Sequence, residues 1–289
     1  MLQDIILTGL INSGVYALLA VGFSLIFGVA RIVNITHTAF YMVAAYFVYV
    51  LGHLWGVPSW LAIVSAVIAV VILGLISYRL VIEPVREHET AVLIGTIALA
   101  AIFQELMIII FGGHYLSIPS LIDGYAQLAG VRITNQQLLT LAIVVLTLVG
   151  VWLLLAKTRL GLAIRTTAED REVANLMGMN VRHVALWTIG ISVGLAAIGG
   201  VVVAPLFVVD PLMWLDPLIT VLAIVVLGGL GSLKGSVLGA LTIGYVETAT
   251  VFLLPAGSFL KSAVALSIMV LVLVVRPEGL FGVVFEEER

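Results

Sequence analysis

The chain contains no cysteine, which excludes disulfides, thiolate nucleophiles and zinc sites of the Cys type and leaves its redox compartment unmarked. Charge is scarce as well. Only 10% of the 289 residues are Asp, Glu, Lys or Arg, where soluble domains carry about 25%. No G-x-x-x-x-G-K-[ST] run occurs, so no nucleotide phosphate loop is written in this chain. The run GGLGSLKGS at 228–236 has Gly, Lys and Ser in a different order. There is no H-E-x-x-H pair, and GISVG at 190–194 matches G-x-S-x-G only formally, because it lies inside an apolar run rather than at a strand-to-helix turn. A net charge of −3 without a basic stripe argues against a nucleic-acid partner.

What is present is apolar length. Hydrophobic residues make up 62% of the chain and the mean hydropathy is +1.26. Stretches of roughly 17–25 apolar residues suffice to cross a hydrocarbon core of about 30 Å. Candidate spans fall at 5–29, 34–52, 58–78, 91–111, 137–156, 184–208, 218–230, 236–254 and 260–275, the seventh being too short to cross alone. The fold class is therefore all-α: a polytopic helical membrane protein with about eight to nine transmembrane segments, read as one domain over 1–289. The start lacks the positive n-region of a secretory signal and reads as a retained first helix. Alternating the loops puts Arg31, Arg79, Arg86, Lys157, Arg159, Arg165, Arg171, Arg182, Lys234, Arg276 and Arg289 on one side of the membrane, and Arg132 and Lys261 on the other. Because cytoplasmic loops retain positive charge, this predicts an outside N-terminus, a cytoplasmic C-terminus and an odd number of crossings.

The largest of the predicted cytoplasmic loops, about 157–184, is dense in charge and also has a helical pattern. Thr166 and Glu169 have the spacing of a capping box, acidic residues follow in the first turn, and Gly178 stands where a left-handed C-terminal cap belongs. Val173, Leu176 and Met177 share one face, with Ala174 beside them. The expected element is a short amphipathic helix over 167–177. Two roles fit it: an interfacial helix lying in the lipid headgroups, or a knob docking into a groove on a cytoplasmic partner. Interfacial helices usually carry a basic polar face, whereas this one has three acids against Arg171.

Polar groups inside the apolar runs are the candidates for a translocation path: Asn12 in the first span, Asn34 and His37 at the start of the second, Gln104 and Glu105 in the fourth, and Glu247 in the eighth. An ionisable side chain at such depth costs at least about 2.5–3.5 kcal/mol and must face the bundle interior or water. For Glu247 and Glu105 two readings stand, a hydrogen-bonding post between helices or a lining of the path. His37 reads as a helix-terminal group before it reads as a ligand. Gly228 and Gly229 open a break, and Gly231, Gly235 and Gly239 recur every four residues, which together predict a helix break followed by a tightly packed helix.

Four regions carry a family resemblance. GLAIRTTAEDREVANLMGMNVRHV at 161–184 resembles the cytoplasmic loop of ABC-importer permeases, in which a short helix seats in a cleft on the ATPase subunit. GFSLIFGVARIVNITHTAFYMVAAY at 22–46 is similar to the early signature of the branched-chain amino-acid (LIV-type) permeases, close to G-x-x-x-x-x-G-x-x-R-x-x-N-x-x-H. LGGLGSLKGSVLGALTIGYVET at 227–248 and RPEGLFG at 276–282 resemble that family's second Gly-rich signature and its terminal motif.

The resemblance implies a multi-pass permease of a prokaryotic inner membrane, paired with a second related permease, two cytoplasmic ATPase subunits and an extracytoplasmic solute-binding protein. It implies no catalysis and no cofactor on this chain, with ATP and Mg on the partner subunits, and it makes Glu169, Arg171, Val173, Leu176, Met177 and Gly178 the coupling element. Branched-chain amino acids are the implied substrate. Related permeases serve urea and short amides, sugars and nucleosides, and a proton-driven secondary transporter using Glu105 or Glu247 is the rival outside the class.

Overall fold

The computed structural model describes residues 2–128, 131–276 and 279–281. Its helices are α1 (Leu2–Ala30), α2 (Thr36–Val48), α3 (Ser59–Ser77), α4 (Glu89–Phe111), α5 (Asn135–Lys157), α6 (Arg159–Glu169), α7 (Arg171–Leu176), α8 (Val181–Val203), α9 (Leu215–Gly228), α10 (Leu233–Leu253) and α11 (Gly257–Val275). Strands β1 (Tyr125–Leu128) and β2 (Val131–Thr134) form one antiparallel hairpin between α4 and α5. Eight of these helices, α2 and α3 with their wider-wound ends included, are long and apolar enough to cross a membrane, which makes the protein an all-α polytopic membrane protein. The hairpin lies outside the predicted spans, and the π-helical turns Tyr49–Leu54 and Tyr78–Ile82 extend α2 and α3.

The helices form an inner group and a shell. In the apolar stretches of α1, α2 and α8 most residues are buried, 72%, 61% and 67%, whereas in α11 only 6% are. α1 lies against α10 and α8, and α8 against α2 and α3. Small residues permit these approaches. A Cβ at Gly200 of α8 would overlap the Tyr41 carbonyl of α2, and one at Gly244 of α10 would sit 2.8 Å from the Ser13 Cα of α1.

Connections gather at two ends. At the first end Gly28 of α1 meets Gly231 and Ala168, and Arg182 pairs with Glu83. At the second, Leu116 and Val209 exchange two backbone hydrogen bonds of 2.9 Å, joining the α4–α5 and α8–α9 segments. α9 has 14 residues, about 21 Å of helix, too little for a full crossing alone. It nevertheless carries the chain from Asp216, which pairs with Lys261 near the start of α11, to Gly228 at the first end. The first and last described segments therefore lie at opposite ends, as an odd number of passages requires.

The glycine-rich turn between α9 and α10 has a clear geometric cause. Gly229 and Gly231 adopt φ of +96° and +81°, conformations that L side chains avoid. Gly235 and Gly239 let α10 descend onto the backbone of α9: a Cβ at Gly235 would overlap the Gly228 carbonyl, and one at Gly239 would lie 2.7 Å from the Ile224 carbonyl oxygen. The tail closes the same corner. Leu280 and Phe281 donate to the Leu227 and Gly228 carbonyls, satisfying the open C-terminal end of α9, and Gly279 turns the chain there at φ +78°. Pro277, Glu278 and Gly282 of the terminal motif, and Arg289, lie outside the described residues.

One expectation needs correction. The charged loop holds two helices rather than one over 167–177. Thr166 is not a cap but an interior residue of α6, donating to the Leu162 carbonyl at 3.0 Å, and Glu169 closes that helix. α6 begins at Thr158, whose hydroxyl accepts from the Gly161 amide at 3.0 Å. The chain bends at Asp170, which caps α7 by accepting from the Glu172 and Val173 amides at 2.8 and 2.9 Å. A capping-box spacing has no force inside a helix already nucleated upstream.

Candidate functional site

Two regions carry the candidate residues: a polar cavity toward the second end, and the α6–α7 loop at the first.

The cavity starts from a close helix contact. Gly244 brings α10 against the α1 backbone at Ser13, so Tyr16, one turn further along α1, reaches Glu247, three residues further along α10. The Tyr16 hydroxyl donates to Glu247 Oε2 at 2.8 Å and the Thr220 hydroxyl of α9 donates to Oε1 at 2.9 Å. Asn12 donates to the Thr248 hydroxyl at 3.3 Å, and Thr248 in turn to the Gly244 carbonyl at 2.8 Å. Glu247 is 4% exposed and is thus both a post joining three helices and part of a wall. The wall encloses about 750 Å³, within the range of small-molecule sites. Ile11, Val15, Leu19 and Met213 supply apolar surface, while Asp210, Asp216, Glu247 and Lys261 supply charge. Lys261 Nζ stands 3.2 Å from Asp216 Oδ2.

Of the path candidates, this cavity brings together Asn12 and Glu247. The other four lie elsewhere. His37 is fully buried and pins three helices, its Nε2 3.0 Å from the Leu19 carbonyl of α1 and its Nδ1 3.2 Å from the Ser192 hydroxyl of α8. Asn34 is buried in the turn before α2, where its carbonyl accepts from the His37 amide. Gln104 accepts from Trp214 Nε1 at 2.9 Å and so fixes the segment leading into α9. Glu105 is exposed on α4, beside Gln104. Tyr16, Thr220, Asp210, Asp216 and Lys261 were missed in the sequence. The available signal was weak: Tyr16 and Thr220 are uncharged polar groups within apolar helices, and what they bond to depends on helices far apart in sequence.

The loop is built by local rules. Ala174 is completely buried and anchors α7, whereas Val173, Leu176 and Met177 are 48%, 87% and 77% exposed. Gly178, at φ +81°, ends α7, with the Met179 amide donating back to the Ala174 carbonyl at 3.1 Å. Asn180 then caps α8 through the His183 amide. Arg171 is half-buried and Glu169 exposed. Three apolar side chains thus stand out from the end of the molecule richest in arginine, fixed by a cap at each side.

The family model for the branched-chain amino acid transport system permease component matches residues 5–274. The chain belongs to that family. It is 29% identical to the high-affinity branched-chain amino acid transport system permease protein BraD of Pseudomonas aeruginosa, over 97% of this chain and 95% of that one. It is 27% identical to the permease protein LivH of Salmonella typhimurium, over 95% and 93%. Among solved structures, PsaBC from Streptococcus pneumoniae in complex with Fab aligns with a TM-score of 0.55 at 16% identity, covering 96% of this chain and 97% of that one, a likeness of fold. The permease family is thus reached by two routes, the four sequence signatures and the match along nearly the whole chain.

Proposed function

We propose that the chain is the membrane subunit of an ATP-driven importer that moves branched-chain amino acids, delivered by an external solute-binding protein, across the inner membrane of a prokaryote. The match of the family model over residues 5–274 carries this reading. The positive charges gathered at the end that holds α6 and α7 support a cytoplasmic position for that end, with the N-terminus outside. ATP is hydrolysed on two separate subunits, since no phosphate-loop sequence occurs in this chain, and a second permease completes the pathway.

Val173, Leu176 and Met177 dock into a groove on the ATPase, Glu169 and Arg171 set the register, and the Gly178 cap holds α7 as a rigid lever against α8 and, through α6, against α5. ATP-driven closure then tilts those helices, and the cavity around Glu247 alternates between outward and inward access. The rival proton carrier draws no support from Glu105, which is exposed on α4 and apart from the cavity. Uptake of labelled leucine by proteoliposomes containing the whole complex, with ATP inside and the binding protein outside, tests the proposal. Wild type should accumulate leucine only with ATP, and Val173→Asp should not. ATP-independent uptake that follows a pH gradient would sink the importer reading.

A further inference from the structure

Glu247 lacks what a buried carboxylate normally has. Its two oxygens accept from the neutral hydroxyls of Thr220 and Tyr16, and among the described residues no cation pairs with it. A buried charge is stable only when paired or heavily hydrogen-bonded, and each carboxylate oxygen keeps a second acceptor position. The lysine in the same cavity, Lys261, is engaged with Asp216. Asp210 uses Oδ1 to accept from the Leu212 amide. The cavity therefore holds three carboxyl groups against one amine. The same wall also carries apolar surface from Ile11, Val15 and Met213.

A cavity with an acid excess beside an apolar wall fits a ligand that carries an ammonium group next to a branched hydrocarbon. We infer that Glu247 binds the ammonium group of the transported amino acid, with Lys261, exchanged from Asp216, receiving its carboxylate. The inference rests on the transport reading above and places part of the selectivity in the permease itself. A purely bracing residue would not need the charge, because a glutamine can also bridge Tyr16 and Thr220.

Three variants of the complete importer, reconstituted with its binding protein and ATP, separate these roles. Glu247→Gln should lower leucine uptake at least about tenfold, the scale of losing a charged hydrogen-bond partner. Tyr16→Phe keeps the carboxylate and removes one brace, so it should lower thermal stability and reduce uptake by less than Glu247→Gln does. Lys261→Ala should raise the KM for leucine-loaded binding protein more than it lowers kcat. Independently, labelling of Glu247 by a hydrophobic carbodiimide, followed by mass spectrometry, should be blocked by leucine and not by 2-hydroxy-4-methylpentanoate, which lacks the ammonium group.

Glu247→Gln transporting within about twofold of wild type, or equal protection by the hydroxy acid, would overturn the assignment. So would equal losses of uptake, assembly and thermal stability in Glu247→Gln and Tyr16→Phe, which is the pattern of a brace. Absence of leucine uptake by the wild-type complex would instead strike the transport reading.

Discussion

The cluster around Glu247 and the α6–α7 loop are both islands of polarity in an apolar chain, and they are held in opposite ways. The cluster joins residues far apart in sequence, Tyr16 of α1, Thr220 of α9 and Glu247 of α10. In the loop, Thr158, Asp170, Gly178 and Asn180 satisfy backbone groups two to five residues away, and Ala174 provides the anchor. The first kind of site exists only when three helices are packed, because no water is available inside a bilayer to replace a missing partner. The second kind forms wherever its own residues sit, which suits an element that must present the same face to a moving partner.

If the contrast is correct, damage to packing in the buried region should dominate everything else. Gly235→Leu drives a side chain into the Gly228 backbone and should abolish assembled protein, seen as loss of the monodisperse peak after detergent extraction. Next in size, Val173→Asp places a charge on the exposed apolar face, and ATP-coupled uptake should fall at least about tenfold while the protein extracts and migrates like wild type. A smaller effect belongs to Thr220→Val, which removes one donor to Glu247; thermal unfolding should report a loss of about 1–2 kcal/mol.

Two further substitutions sharpen the reading of the loop. Asp170→Ala deletes the α7 cap, worth about 0.5–2 kcal/mol, and should speed hydrogen exchange at the amides of Glu172 and Val173 without changing global stability. The smallest effect is expected from Thr166→Val, whose hydroxyl only returns to the Leu162 carbonyl; exchange in α7 should be unaltered. Were Thr166 the start of the helix, the order of these two would reverse.

The loop also shows how far local reading extends. Gly178 as a left-handed terminus and the exposed face of Val173, Leu176 and Met177 were both legible, since each depends on neighbours within a turn. The break at Asp170 was not, because Thr166-x-x-Glu169 and Asp170 both satisfy the chemistry of a helix start, and the choice was made by α6, which begins at Thr158 and packs Ile164 and Thr167 inward. In the membrane part, the glycines of 228–239 announced a break and a close contact without naming the partner. Gly235 and Gly239 meet α9, and Gly231 meets Gly28 of α1.

The sequence by itself determined the helical membrane class, the approximate spans, the end of the molecule that gathers positive charge, and four signatures of the permease family. These follow from hydrophobic length, from charge placement and from short motifs, all properties of contiguous residues. Tertiary structure alone decided which polar groups share a cavity. Asn12 and Glu247 meet there and are joined by Tyr16, Asp210, Asp216 and Lys261, whereas His37 becomes a pin between helices and Glu105 stays on the outer face of α4. An apolar helix with one polar residue fixes only that the residue must find a partner. The rotation of each helix, set by glycine contacts such as Gly244 against Ser13, selects which partner it finds.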